Sequence, residues 1–328
     1  MMIILSEKEI QSLYMMEDAI LDVEAILSEE RNGNIQIPER TVLNFSEHDA
    51  SVLYMPSAAT KMAAVKVVSI FPHNPERQRP TTQGVIVVTD TETGEHLAMM
   101  NATYLTRLRT GAVSAIATKY LARHDASRLA VIGTGAMAQE QVAAMLAVRP
   151  ITEMFLYNRT KEKAEQFAAY IREAHPEWQG TIHVMDNADE AVRQAHIVIC
   201  STRSTTPVFS VTALQPGTHI NAIGSYLPHM QELDVEMIIR ADRIVVDTKE
   251  GVKHEAGELI QAENTGRWSF EQIDAEVGEL VTGEKSGRQY EKEITLFKCV
   301  GVASFDLAVA MGVYKKAVEN GKGMTISL

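Results

Sequence analysis

Behind a cap signal at Ser6-Glu-Lys-Glu9, apolar residues recur at helical spacing from Ile10 through Ile26, which predicts a helix ending before Gly33. From Thr41 the period shortens to β-type runs at 52–55, 63–71 and 84–88. Thr91-Glu-Thr-Gly94 reads as a hairpin turn between strands 85–89 and 97–100. An amphipathic helix over 104–121 follows. This first third is therefore an α+β unit. At Arg128 the text changes again, to a short buried strand at 129–133 and a helix over 136–148. Strands at 154–157, 182–184, 197–200, 218–223 and 243–247 then alternate with helices at 161–173 and 188–195. Such alternation predicts an α/β fold with a parallel, doubly wound sheet. A last helix over 305–320 is assigned to the first domain. No internal repeat or low-complexity tract interrupts the chain.

At 328 residues the chain suits two domains, and its 45% hydrophobic content can fill two cores. The net charge of −12, from 43 acidic and 31 basic residues, argues against nucleic acid or an anionic membrane as partner. It leaves an anionic small molecule open, since one pocket can be locally positive. Cys200 and Cys299 are too few for a disulfide framework and stand in apolar runs, as small core residues do; a reactive thiol is the alternative. Met1–Ile10 lacks the basic start and long apolar run of a signal peptide, and no stretch approaches a membrane span, so the expectation is a soluble, cytoplasmic protein.

Gly133-Thr-Gly135-Ala136-Met137-Ala138 has the form GxGxxA between a predicted strand and a predicted helix. Gly133 permits the tight turn, Gly135 lets backbone approach a pyrophosphate, and Ala138 keeps helix and sheet close. At the end of the next strand an acid would accept the ribose hydroxyls of NAD. This chain reads Tyr157-Asn158-Arg159-Thr160, a neutral side chain beside a guanidinium suited to a 2′-phosphate. NADP(H) is therefore favoured, with NAD(H) the alternative if Arg159 is only a solvated loop charge.

Lys66 interrupts the run Ala63-Ala-Val-Lys-Val-Val, where a lysine is costly unless paired or open to a pocket. It faces an anionic ligand, or it lies on an edge with its ammonium in water; the pattern leaves both open. Arg107 and Arg109 stand two apart on a helix, so at most one points into a given pocket. Asp247 ends a strand, a usual place for ligand contact in such sheets. His73, His183, His219, His229 and His254 lack metal-ligand spacing, and no metal is expected. Neither a GxSxG elbow nor a Cys/His pairing points to a hydrolase.

Several segments resemble the ornithine cyclodeaminase/mu-crystallin family: Val65-Lys-Val-Val, Arg109-Thr-Gly-Ala-Val-Ser-Ala-Ile-Ala-Thr-Lys, Ile132-Gly-Thr-Gly-Ala-Met-Ala, Tyr157-Asn-Arg-Thr, Pro216-Gly-Thr-His-Ile-Asn-Ala-Ile-Gly-Ser, Met230-Gln-Glu-Leu-Asp and Thr295-Leu-Phe-Lys-Cys-Val-Gly. They stand in the family's order over nearly the whole chain. The resemblance implies a substrate-binding and dimerisation domain over 1–121 with 303–328, and a Rossmann domain over 122–302. The active site would lie between them, and the protein would be a homodimer. It also implies that Arg40, Lys66 and Arg109 clamp a substrate carboxylate, selecting Arg109 over Arg107, with Lys66 and Arg109 as catalytic residues and Met55 as pocket wall. Thr202, Ala222, Gly224 and Ser225 resemble the residues lining nicotinamide and ribose.

One departure bears on the reaction. Cyclodeaminases and related alanine dehydrogenases carry a catalytic Asp within GxDxPGK; here Gly224-Ser-Tyr226-Leu-Pro-His-Met230 puts Tyr226 at that position. A phenol with an ordinary pKa near ~10 is a poor base at neutral pH, though it can donate a hydrogen bond or line a pocket. Members lacking the Asp resemble the ketimine-reductase branch. The leading expectation is an NAD(P)H-dependent reductase of a cyclic imino acid, Δ1-pyrroline-2-carboxylate or its six-membered homologue. An ornithine cyclodeaminase, an alanine- or opine-type dehydrogenase and a non-catalytic NADPH-dependent ligand-binding protein are the alternatives.

Overall fold

The computed structural model describes residues 1–327 and divides the chain into two compact units. The first holds Met1–Arg109 and the chain from Val302 onward; the second is Thr110–Gly301.

The first unit is a sheet of β1 (Met2–Leu5), β2 (Thr41–Phe45), β3 (Ala50–Ala58), β4 (Met62–Ile70), β5 (Thr82–Asp90), β6 (His96–Asn101) and a C-terminal strand, Met324–Ile326. From that last strand the order runs β1-β6-β5-β4-β3-β2. Strands β2 to β6 are consecutive antiparallel hairpins, whereas β1 lies parallel to β6. Alternation along the strands puts Met55, Ser57, Ala64, Lys66, Ile86, Val88 and Met100 among the buried residues. The C-terminal helix, Ala303–Asn320, packs on β3, β4 and β5, and is apolar along most of its buried length. Tyr54 pairs with Val67, and Val67 with Val85, out of phase with Lys66; Tyr54 and Val85 remain exposed, as do Val42, Leu43 and Phe45 of β2.

Two local departures from the sequence pattern have physical causes. The expected single N-terminal helix is broken into α1 (Glu7–Leu13) and α2 (Met16–Arg31). Tyr14 takes an extended backbone at the break, buries its ring and donates its hydroxyl to Asp22 Oδ2 at 2.5 Å. The apolar start Met2–Leu5 is a strand, too short for periodicity to reveal, held by β6 and the C-terminal strand.

The division between the units falls inside α3 (Ala102–Leu121), at Arg109/Thr110, rather than after the helix at residue 121. The second unit is an all-parallel sheet of β7 (Arg128–Ile132), β8 (Glu153–Tyr157), β9 (Thr181–Val184), β10 (Ile197–Cys200), β11 (His219–Ala222), β12 (Arg243–Val246), β13 (Ala275–Glu276) and β14 (Thr295–Lys298). Their spatial order is β13-β12-β14-β11-β10-β7-β8-β9. From β7 the chain winds outward through β8 and β9, then returns to add β10 and β11 on the other side. The order therefore reverses between β7 and β10, and a ligand crevice opens at the carboxyl ends of strands flanking such a switch point. Among the described residues no helix is long and apolar enough to cross a membrane.

Candidate active site

In the first unit, Lys66 lies on a central strand between Met55 of β3 and Ile86 of β5. It is only 3% exposed, so its ammonium does not reach water as an edge lysine would. It donates to Asp306 Oδ2 of the C-terminal helix at 2.6 Å. Arg109 Nε lies 3.4 Å from the other oxygen of the same carboxylate. Burial pushes the Lys66 ammonium down to about 8; Asp306 pulls the other way, while Arg109 and the half-buried Arg40 add to the downward push. Lys66, Arg109 and Asp306 thus carry two positive charges against one negative, an excess suited to one further carboxylate. Arg107 points elsewhere: it pairs with Glu7 at 2.9 Å and stacks on Tyr104.

In the second unit, the turn after β7 meets the loop after β10 at the switch point. Gly133 has φ +91°, and a Cβ there would fall 2.6 Å from Thr202 Cγ2 and 2.9 Å from Ser201 O. Only glycine fits. Gly135 differs, since a Cβ would meet nothing within 4 Å. It is the N-cap of α4 (Ala136–Val148), and no side chain caps that helix. Gly135 and Ala136 are exposed and Met137 half-buried, whereas the Thr134 hydroxyl is buried without a hydrogen-bond partner. Open space before an uncapped helix N-terminus, with an unsatisfied hydroxyl in the turn, fits a dinucleotide pyrophosphate. Asn158 braces the turn: its Oδ1 accepts from Thr134 N at 3.3 Å and its Nδ2 donates to Thr160 O at 3.0 Å. Arg159 and Thr160 are exposed beside it, and Lys161 is tied to Asp186.

Beneath the loops after β10 and β11 lies a buried ionic network. Glu232 accepts from the backbone of Thr202 at 2.5 Å, Gly224 at 2.7 Å and Ser225 at 3.2 Å, joining the two loops. Burial pushes its carboxyl up to about 7, Lys298 lowers it, and Glu258 raises it again. Lys298 donates to the Ser225 carbonyl and hydroxyl, both at 2.6 Å, and pairs with Glu258 at 3.0 Å. The Ser225 hydroxyl in turn donates to Glu258. Ser225 is therefore fully buried with its side chain engaged inside the fold, and Ala222 is likewise 0% exposed. Their side chains support the loops rather than line open space. Tyr226 is half-buried and His229 exposed on the same loop.

Four groups escaped the sequence reading: Asp306, Glu232, Glu258 and Lys298. For Lys298 a signal existed, a lysine within Leu-Phe-Lys-Cys, the same pattern that singled out Lys66. Asp247, expected near a ligand, is instead occupied by structure: Oδ2 accepts from Val300 N at 2.8 Å and Gly301 N at 2.6 Å, and Oδ1 from Thr248 N at 2.9 Å. Both cysteines are buried, and burial raises the Cys200 thiol, which suppresses thiolate formation there.

A parallel sheet with a glycine turn at its switch point defines the dinucleotide-binding class of α/β proteins. Within that class, residues 1–321 match the model of the ornithine cyclodeaminase/mu-crystallin family, and the chain belongs to that family. It is 42% identical over 327 residues to a Δ1-pyrroline-2-carboxylate reductase of Bacillus cereus, with 99% of each chain covered. The structure of Thermococcus litoralis Δ1-pyrroline-2-carboxylate reductase, in complex with NADH and L-proline, matches with a TM-score of 0.94 at 36% identity, covering 99% of this chain and 100% of that one. An archaeal alanine dehydrogenase dimer with bound NAD matches at 0.92 and 36%, covering 99% of both chains.

Proposed function

We propose that the protein is an NAD(P)H-dependent oxidoreductase that reduces cyclic imino acids, converting Δ1-pyrroline-2-carboxylate to proline or piperideine-2-carboxylate to pipecolate. The observation that carries this reading is the buried Lys66–Arg109 cation pair with a single carboxylate between them. Its net positive charge suits an imino-acid carboxylate, Arg40 adds to the field, and Met55 stands beside Lys66 as an apolar wall. A reduced nicotinamide, when bound, would supply the hydride for the C=N carbon. The imine nitrogen would take a proton from solvent, so the ring would become a secondary amine. This chain's part is to hold the carboxylate and, through Gly133, Gly135, Ala136, Met137, Asn158, Thr202 and Gly224, to seat the dinucleotide. Tyr226, where cyclodeaminases resemble one another in carrying Asp, favours reduction over deamination. The alanine dehydrogenase similarity supports a second reading, reduction of an open-chain imine from pyruvate and ammonia.

The deciding assay follows nicotinamide absorbance with Δ1-pyrroline-2-carboxylate, beside ornithine with NAD assayed for ammonia, and pyruvate with ammonium. Rapid oxidation with the cyclic imine alone is expected. Ammonia from ornithine, or turnover confined to pyruvate, would overturn the reading.

NADPH is the proposed cofactor of preference, through exposed Arg159 beside neutral Asn158. Arg159→Ala should weaken NADPH about tenfold, the loss of one charge-assisted contact of ~1.5 kcal/mol, and leave NADH unchanged. An equal loss of both would remove Arg159 from the 2′-phosphate. We also propose a homodimer, with the exposed apolar face around Tyr54, Val85 and β2 covered by a second copy. Sedimentation of Val85→Lys should then show monomer, and an unchanged mass would move the interface elsewhere.

Affinity for the carboxylate should also follow Lys66. Its folded-state value is depressed from 10.5 to about 8, so between these values the unfolded chain holds the extra proton. Stability from this group therefore rises with pH across that window, and lost affinity there cannot be its unfolding. KM should climb above about pH 8, and Lys66→Arg, whose guanidinium does not titrate, should flatten the climb. A wild-type KM that stays level to about pH 9.5 would show that the ammonium does not bind the substrate.

A further inference from the structure

Lys66 and Arg109 share one carboxylate. Lys66 Nζ sits 2.6 Å from one oxygen of Asp306, and Arg109 Nε 3.4 Å from the other. Asp306 comes from the C-terminal helix and is 1% exposed, buried with both cations. The charged groups acting on Lys66 are Asp306 from that helix, Arg109 from α3, and Arg40 from the segment before β2. Its cross-strand neighbours, Met55 and Ile86, are uncharged. Asp306 is therefore the one negative group in this set. Without it, buried cations would repel one another in a medium that screens poorly. Guanidinium does not release its proton at any ordinary pH, so the ammonium of Lys66 would be the group to lose charge.

We propose that Asp306 is a positioning residue of the carboxylate clamp, spacing Lys66 and Arg109 as two prongs and keeping Lys66 protonated at neutral pH. This rests on the reading of Lys66 and Arg109 as the substrate-carboxylate site. Burial has already brought the ammonium to about 8 against the upward pull of Asp306, so removing the anion carries it further down. The carboxylate of Asp306 thus acts on the substrate only through its two partners, and its removal should show first in the pH dependence of binding.

The test compares Asp306→Asn, an isosteric change, with the unmodified enzyme, reading KM for Δ1-pyrroline-2-carboxylate and the affinity for L-proline in the presence of NADH. At pH 8 Asp306→Asn should bind at least about tenfold more weakly, recovering toward the unmodified value at pH 6 as Lys66 regains its proton. Adding Lys66→Arg should abolish this recovery by making the charge permanent. A purely structural role would give the same loss at both pH values, and that result would overturn the proposal. Should Asp306→Asn not fold, Asp306→Glu keeps the charge but shifts the prongs, and its KM should rise equally at both pH values. An unaltered KM in Asp306→Glu would overturn the spacing role. If the unmodified enzyme does not reduce the cyclic imine, or Lys66→Met binds proline normally, the functional reading falls and takes the inference with it. If both controls behave while Asp306→Asn shows no added pH dependence, the inference alone fails.

Discussion

Arg109→Ala should raise KM for Δ1-pyrroline-2-carboxylate by about ten- to a hundredfold while cofactor affinity stays constant. A hydrogen bond to a charged group contributes ~1.5–3 kcal/mol, and each 1.4 kcal/mol is a factor of ten. The variant leaves the shorter pair intact, because Lys66 still satisfies Asp306 at 2.6 Å. Lys66→Ala is a harsher change. It leaves the Asp306 carboxylate buried with only the longer, 3.4 Å partner. Breaking a buried pair from one side costs ~3–5 kcal/mol, so its kinetics would be mixed with loss of folded protein. Arg109→Ala is therefore the sharper probe. If the clamp only binds, kcat holds; a simultaneous fall in kcat would show that it also orients the imine carbon for hydride. Unchanged KM and kcat would remove Arg109 from the site.

Periodicity was legible wherever an element was long or its neighbours regular. The apolar β-type run at 63–71 marks β4, and the strand–turn–helix text around Gly133 marks the switch-point turn. Four-residue β1 carried too few positions to show a period, and the break at Tyr14 depends on a tertiary hydrogen bond to Asp22. The site was half visible for a similar reason. Lys66 stands out in the sequence because a charge in an apolar strand demands a partner, yet that partner lies 240 residues away. Asp306, within Phe305-Asp306-Leu-Ala, reads as a polar interruption of a helix that otherwise looks like core. Glu232 has no periodic context at all, since it stands in a loop and works by accepting backbone amides. Ser225 shows the converse: the family resemblance implies contact with a ligand, while Lys298 and Glu258 occupy its hydroxyl. Local pattern identifies residues that need partners; it does not say which partner the fold supplies.

The two turn glycines should separate folding from cofactor binding. Gly133→Ala forces an L-residue to φ +91° and drives its Cβ to within 2.6 Å of Thr202 and 2.9 Å of the Ser201 carbonyl. Backbone strain of this kind costs ~1–3 kcal/mol before any clash is counted. At roughly 2–4 °C per kcal/mol for a domain of this size, Tm should fall by several degrees, and dinucleotide binding should go with it. Gly135→Ala introduces no such conflict, since its φ is −81° and a Cβ meets no atom within 4 Å. Removing a glycine where the backbone already suits alanine stabilises by ~0.4–1 kcal/mol through the unfolded chain, so Tm should hold or rise slightly. The new methyl nevertheless occupies the open space in front of α4 that is proposed for the pyrophosphate. Affinity for NADPH and NADH should therefore drop together, by at least about tenfold, or ~1.4 kcal/mol. Calorimetry of cofactor binding beside thermal unfolding reads both quantities from one preparation. A Gly135→Ala protein that stays folded and binds either dinucleotide as the unmodified chain does would place the pyrophosphate somewhere other than this turn, whatever the behaviour of Gly133→Ala.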